Sequence, residues 1–157
     1  MSDLNAENLK NISCRLKELG TKIKLITLLE KAHKEFEQNN LSDSEDTCRN
    51  ILKTNPNNPI ALRGLGCIMQ ARKNFSKALE YYNKALVFST NKEIEYTLIG
   101  MIYYLEDNLD DAIKYFNLAI EFNDNYDPAY DGRNQSMLEN HLKIIDLQDK
   151  LIRQKFF

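Results

Sequence analysis

Apolar residues along this chain recur at intervals of three and four, the spacing that keeps side chains on one face of a helix. Six segments read as helices on that basis, with expected spans 25–38, 42–54, 59–72, 76–89, 93–106 and 110–122. Residues 3–19 read as a further helix. There Leu9, Ile12, Leu16, Leu19, Ile23 and Ile26 step by three and four alternately, a heptad pattern. Gly20 falls within that pattern and is expected to separate the N-terminal helix from the helices beyond it. Two readings of the segment stand open: a helix packed on the first helix pair, or a dimerisation arm.

The helices are not independent of one another. Gly66 and Gly100 lie 34 residues apart, and Ala32 lies 34 before Gly66. The pairs Ala78 and Ala112, Ala85 and Ala119, and Tyr82 and Phe116 keep the same step. So do Leu41, Phe75 and Leu109, and likewise Leu28, Leu62, Tyr96 and Tyr130. A fixed period of this length marks a repeat architecture, in which each unit buries its apolar face only by stacking on its neighbours. Small residues recur where two antiparallel helices must approach, and large ones where space between helices must be filled.

This register resembles the tetratricopeptide repeat, a helix–turn–helix unit of the same length. The stretch 59–92 supplies Leu62, Leu65, Gly66, Met69, Ala78, Tyr82, Ala85 and Thr90 at the family's characteristic positions. The stretch 93–126 supplies Tyr96, Ile99, Gly100, Tyr103, Ala112, Phe116, Ala119 and Asp124. A more divergent copy, 25–58, supplies Leu28, Lys31, Ala32, Glu35, Ser44, Cys48, Ile51 and Pro56, with Lys31 and Glu35 departing from the pattern. The resemblance covers 102 of the 157 residues. It implies an all-α, right-handed α-solenoid. Residues 1–20 would form an N-terminal amphipathic helix, 21–126 the three repeats, and 127–157 a C-terminal capping or tail helix.

Local signals at the helix ends fit this division. Asn58-Pro59 and Asp127-Pro128 each read as an N-cap followed by Pro at the first helical position. Ser42 to Glu45 and Thr90 to Glu93 both match a capping box. After Asp127 the chain opens like a fourth repeat with Ala129 and Tyr130, then departs at Arg133 and Asn134, as a capping helix does. Farther on, Leu138, Leu142, Ile145, Ile152 and Phe156 form one apolar stripe and Ile144, Leu147 and Leu151 a second. That exceeds what one shallow cap needs, so docking of this tail on another subunit or partner is the alternative. Phe156 and Phe157 are expected to be covered.

Composition and charge narrow the function classes. The formal net charge is −2, and Gly and Pro number only five and three. So few turn-formers argue against an all-β chain, and the near-neutral charge gives no nucleic-acid footprint. No run reaches the ~18 apolar residues that suggest a membrane span. The start, Met1 to Asn5, lacks the basic-then-apolar pattern of a signal peptide. Cys14, Cys48 and Cys67 are odd in number and widely spaced, which reads as reduced thiols. A cytoplasmic protein is therefore expected.

Catalytic and cofactor motifs are missing. His33 and His141 belong to no metal-ligand spacing, and no phosphate-binding Gly loop or nucleophile elbow occurs. No enzymatic role, cofactor or metal is expected. The family resemblance implies a concave groove lined by the first helix of each repeat. Its expected binding residues here are Leu29, His33, Phe36, Arg63, Cys67, Gln70, Thr97, Met101 and Tyr104. Gly64 and Gly132 share one inner-face register position, where they would leave room for a ligand backbone. The family's best-known ligand mode, a clamp of Lys, Asn and Arg on a terminal carboxylate, is not matched, because only Arg63 is basic among the key positions.

The expected function is thus a non-catalytic protein-interaction module that takes a peptide or helix of a partner protein into an apolar groove. Two alternatives accompany it. One is a chaperone of a secretion system that holds hydrophobic client segments. The other is a structural homodimer or assembly subunit whose own flanking helices fill the groove. A protein or peptide partner is expected, with no nucleic acid and no membrane insertion. The N- or C-terminal helix would mediate a homodimer if one forms.

Overall fold

The structure, a computed structural model, describes residues 2–156, with side-chain surroundings for residues 7–154. Seven α-helices and no strand occur among the described residues: α1 (Ser2–Glu37), α2 (Leu41–Thr54), α3 (Pro59–Ala71), α4 (Phe75–Phe88), α5 (Lys92–Leu105), α6 (Leu109–Phe122) and α7 (Asp127–Phe156). Helices α1/α2, α3/α4 and α5/α6 pack as pairs, and the pairs stack through α2 on α3 and α4 on α5. Helix α7 closes the stack against α6 and α5. The core comprises apolar residues from successive pairs, among them Ala32, Cys48, Leu65, Ile68, Tyr82, Ile99 and Ile102.

The turn inside each pair is built the same way three times. Asn39, Lys73 and Asp107, spaced by one repeat, all adopt a left-handed backbone with φ of 60°, 59° and 64°. Each ends a first helix, and the next residue, Asn40, Asn74 or Asn108, caps the second. Asn74 and Asn108 accept a hydrogen bond through their side chains from the backbone N–H of Lys77 and Asp111. Asn58 does the same for Ala61 at 2.9 Å, ahead of Pro59, as the sequence predicts.

The two expected capping boxes do not form. Helix α2 begins a residue early, at Leu41, so Ser42 lies inside it and no side chain caps its start. Ser44 instead donates to the Ala32 carbonyl at 2.8 Å and ties α2 to α1. At α5 the cap is Asn91, whose side-chain oxygen accepts from the Thr90 hydroxyl. Asp127 is likewise the first residue of α7 rather than its cap.

Close packing of the pairs rests on glycine meeting an aromatic or thiol side chain. A Cβ on Gly66 would lie 2.3 Å from the Tyr82 ring, and one on Gly100 would lie 3.0 Å from Phe116. Across the repeat boundary, a Cβ on Gly132 would lie 2.4 Å from Phe116, and one on Gly64 would lie 2.9 Å from Cys48 Sγ. Phe116 is therefore held between the first helix of its own pair and the helix after it. This corrects the expectation that Gly132 leaves room for a ligand backbone, because the Phe116 ring already occupies the space above it, while Gly64 borders both Cys48 and open space.

The divergent first repeat compensates with polar contacts. Glu35, standing where its counterparts are Met69 and Tyr103, accepts a 2.8 Å hydrogen bond from Thr47 and pairs with Lys31 at 3.5 Å. The next repeat boundary holds a buried carboxylate. Glu95 is 0% exposed and meets the Arg63 guanidinium at 3.1 Å, which fixes α5 against α3.

Both flanks depart from expectation in the same sense. Gly20 does not separate anything: α1 runs unbroken from Ser2 to Glu37. One helical glycine costs about 1 kcal/mol relative to alanine, and the helix formers around it absorb that cost. The N-terminal half of α1 does not pack on the first repeat. Leu9, Ile12, Leu16, Leu19, Ile23 and Ile26 are 52–63% exposed along it. In α7, Ala129 and Ser136 are buried in the stack, while both stripes from Leu138 to Ile152 are 43–64% exposed. The expected cover over Phe156 and Phe157 lies outside the described residues.

Candidate groove site

The first helices α1, α3 and α5 carry all nine predicted groove residues, because their registers repeat with the pairs. Five of the nine converge on one cavity. Leu29, Ala32, His33 and Phe36 of α1, Ser44 and Cys48 of α2, and Ile60, Arg63, Gly64 and Cys67 of α3 enclose about 350 Å³ of open space. Its walls are aliphatic and aromatic, and its charged rim is Arg63 on one side. His33 stands exposed opposite and faces Glu37 at 3.2 Å one turn on. Among the described residues, none of α7 and none of α1 before Leu29 lines the cavity.

The other four predicted residues separate into different roles. Gln70 accepts a 2.7 Å hydrogen bond from the Tyr82 hydroxyl, so it steadies the core ring that Gly66 receives. Thr97 is only 4% exposed and donates to the Glu93 carbonyl one turn back, so it offers no surface to a ligand. Met101 is 41% exposed and available. Tyr104, half-buried, accepts from Gln135 of α7 at 3.0 Å. Its phenol is pushed up mainly by the hydrogen bond to Glu139, so it stays protonated. Tyr104 thus meets α7, and Met101 stands exposed one turn before it on α5; neither lines the α1–α3 cavity.

Burial governs the two thiols that line the cavity. Burial pushes the Cys48 thiol up to about 11, and burial also raises Cys67. Both sulfurs therefore remain protonated and are poor nucleophiles near neutral pH. Cys67 instead receives a weak bond from the Tyr82 hydroxyl at 3.5 Å. Among the described residues no three His, Cys, Asp or Glu side chains stand together as a metal would require. No described helix is long and apolar enough to cross a membrane.

Sequence reasoning missed Glu95, which decides how Arg63 is held. A glutamate at the third position of a repeat reads as an exposed helix-start acid. Only the stacking of α5 on the preceding pair makes it a buried partner. The signal available was Arg63 itself, a lone cation on an otherwise apolar face.

Similarity to solved structures agrees with this geometry. The first TPR domain of Spaghetti (RPAP3), bound to an HSP90 peptide, superposes with a TM-score of 0.66 at 20% identity, covering 74% of this chain and 93% of that one. The chain has the tetratricopeptide-repeat fold. The Yersinia enterocolitica type III secretion chaperone SycD, in complex with a peptide of the translocator YopD, matches with a TM-score of 0.65 at 15% identity over 74% of this chain and 95% of that one. A Thermobaculum terrenum O-GlcNAc transferase mutant matches with a TM-score of 0.67 at 21% identity over 72% of this chain. This chain spans only 22% of that enzyme's length. No protein-family model matches the chain, and neither does any curated protein.

Proposed function

We propose that this tetratricopeptide-repeat chain is a non-catalytic interaction module that binds a peptide or helix of a partner protein on its concave face. The observation that carries the reading is the open apolar cavity between α1 and α3, large enough for one or two aliphatic side chains of a ligand. Leu29, Phe36 and Ile60 supply apolar contact, and Arg63, anchored by Glu95, supplies one directed charge at the rim. Met101 adds an adaptable apolar contact on the neighbouring helix. Similarly folded domains hold an HSP90 peptide and a YopD peptide, which supports a peptide as the ligand class.

The secretion-chaperone alternative has one specific support, the likeness to SycD with its bound translocator peptide. An apolar cavity suits a hydrophobic client segment in either case. The self-filled groove has less support, because the apolar stripes of both flanking helices point into solvent.

Affinity capture from the native lysate tests the proposal. Ile60→Asp and Met101→Asp place a charge on exposed groove positions and leave helix packing alone. Both should abolish capture of the wild-type partner while the far-ultraviolet circular dichroism stays unchanged. A partner that survives both changes binds elsewhere, and the groove assignment then fails.

A further inference from the structure

The N-terminal half of α1 is a projecting helix whose apolar residues keep a strict heptad: Leu9, Leu16 and Ile23 at the first core position, Ile12, Leu19 and Ile26 at the second. All six are half exposed or more. A repeat of seven on a straight helix drifts by about 20° per heptad, which suits a helical partner wound around it rather than a flat surface. The seam ends at Ile26, within one turn of Leu29 at the cavity.

The flanks of the seam differ sharply. On one side the positions are Ser13, Gly20 and Thr27, small and uncharged. On the other they are Asn8, Arg15, Lys22 and Leu29. Leu29 lines the α1–α3 cavity, whose rim carries Arg63. Arg15 and Lys22 therefore mark one edge of the seam, in the row that leads on to Leu29 at the cavity, and no acidic residue stands at either flanking position of the seam from 8 to 29. Glu7 lies outside those two flanking rows, and Glu18 stands one row farther round, within a turn of both Arg15 and Lys22, where it lines the same surface hollow and offsets part of their charge.

A second copy of α1 would suit this seam poorly. Paired in parallel, it sets Arg15 and Lys22 against uncharged Gly20 and Thr27 and gains no ion pair. Paired antiparallel, it sets Arg15 beside Lys22 of the other chain, a like-charge contact. We infer that the arm of α1 is a docking seam for an amphipathic helix of a different protein, one that carries heptad-spaced apolar residues flanked by Glu or Asp and that leads on toward the groove. The inference rests on the groove reading only for where the partner's chain leads, and the arm is testable without it.

Two synthetic three-heptad peptides serve as probes, each with Leu at both core positions. One carries Glu at the flanking positions and the other Lys, so that neither pairs with itself. Fluorescence anisotropy with the full chain should show the Glu peptide binding at least about tenfold more tightly than the Lys peptide, with the difference shrinking at high salt. Arg15→Glu with Lys22→Glu should invert that preference. Leu16→Asp with Ile23→Asp should abolish binding of either peptide while the thermal transition of the repeats stays in place. Equal binding of the two peptides, or none, overturns the inference. So does a wild-type dimer in sedimentation equilibrium that Leu16→Asp converts to monomer, and so does binding to phosphatidylserine-containing vesicles with no peptide binding. Ile60→Asp and Met101→Asp leave the seam intact, so a failed groove and a failed arm give different results.

Discussion

The stacked pairs and the arm of α1 carry the same kind of sequence signal and meet opposite fates. In both, Leu and Ile recur at helical spacing. Within the stack, Leu65, Ile68 and Ile99 are buried by the helices of neighbouring pairs. Along the arm, Leu9 through Ile26 have nothing upon them. The difference lies in the small residues opposite. Gly66, Gly100 and Gly132 let a helix approach until an aromatic ring fills the gap, whereas a Cβ on Gly20 would meet nothing within 4 Å. An apolar stripe thus sets which face of a helix seeks cover. The close-approach positions set whether the same chain supplies it.

Substitutions inside the stack should separate the two regions most clearly. Arg63→Ala removes the partner of the buried Glu95 and should cost about 3 kcal/mol, the low end for a broken buried pair because the guanidinium is partly exposed. In thermal unfolding that is a drop of about 6–12 °C for a chain of this size. Arg63→Met combined with Glu95→Leu should recover most of the loss, since an apolar pair needs no compensating charge. Failure of the double variant to recover would mean that Glu95 is held by something other than Arg63. Gly132→Ala comes next. Its Cβ would stand 2.4 Å from the Phe116 ring, and overpacking of that kind outweighs the gain in helix propensity, for a net loss of about 1–2 kcal/mol by denaturant titration. A stabilised Gly132→Ala would show that α7 does not hold Phe116 from outside.

A smaller effect of the opposite sign is expected at Lys73. It holds a left-handed backbone with φ of 59°, where a side chain is disfavoured. Lys73→Gly should therefore stabilise the stack by about 0.5–1 kcal/mol in denaturant titration. No gain there would mean that the turn after α3 is not strained by its lysine.

The repeat register is legible to within a residue at most helix ends, because one physical requirement, close approach at fixed positions, recurs three times. Positions that depend on a single local contact are not. The capping boxes fail because Asn40 and Asn91 take the cap positions instead, and a four-residue match cannot weigh that competition. Register alone misplaces Thr97 on the groove, while its hydroxyl turns back to the Glu93 carbonyl. The cavity lining is largely legible: Leu29, His33, Phe36, Arg63 and Cys67 converge as the register implies, and Ile60 holds a groove-facing register position too, but the Glu95 anchor depends on how one pair sits on the next. Gly132 shows the same limit, since glycine beside a ligand and glycine beside a ring look alike in a sequence.

Gly20→Ala sharpens the comparison with the smallest effect. Placed in the stack, the same change collides with a ring, but in the arm the added methyl meets open space. Helix propensity is then the only contribution left, worth about 0.5–1 kcal/mol in favour of alanine. The arm packs on nothing, so that gain should not reach the cooperative unfolding of the repeats. Thermal unfolding followed at the tyrosines, which lie between Tyr81 and Tyr130 in the stack, should keep its midpoint. Amide exchange in residues 9–26 should slow by about two- to fivefold, the factor that corresponds to that free energy when local opening limits exchange. A shifted midpoint would mean that the arm is coupled to the stack after all. Unchanged exchange would mean that Gly20 already sits in a helix whose opening is governed elsewhere, and the division of the molecule into a packed stack and an independent arm would have to be redrawn at a point closer to Ala32.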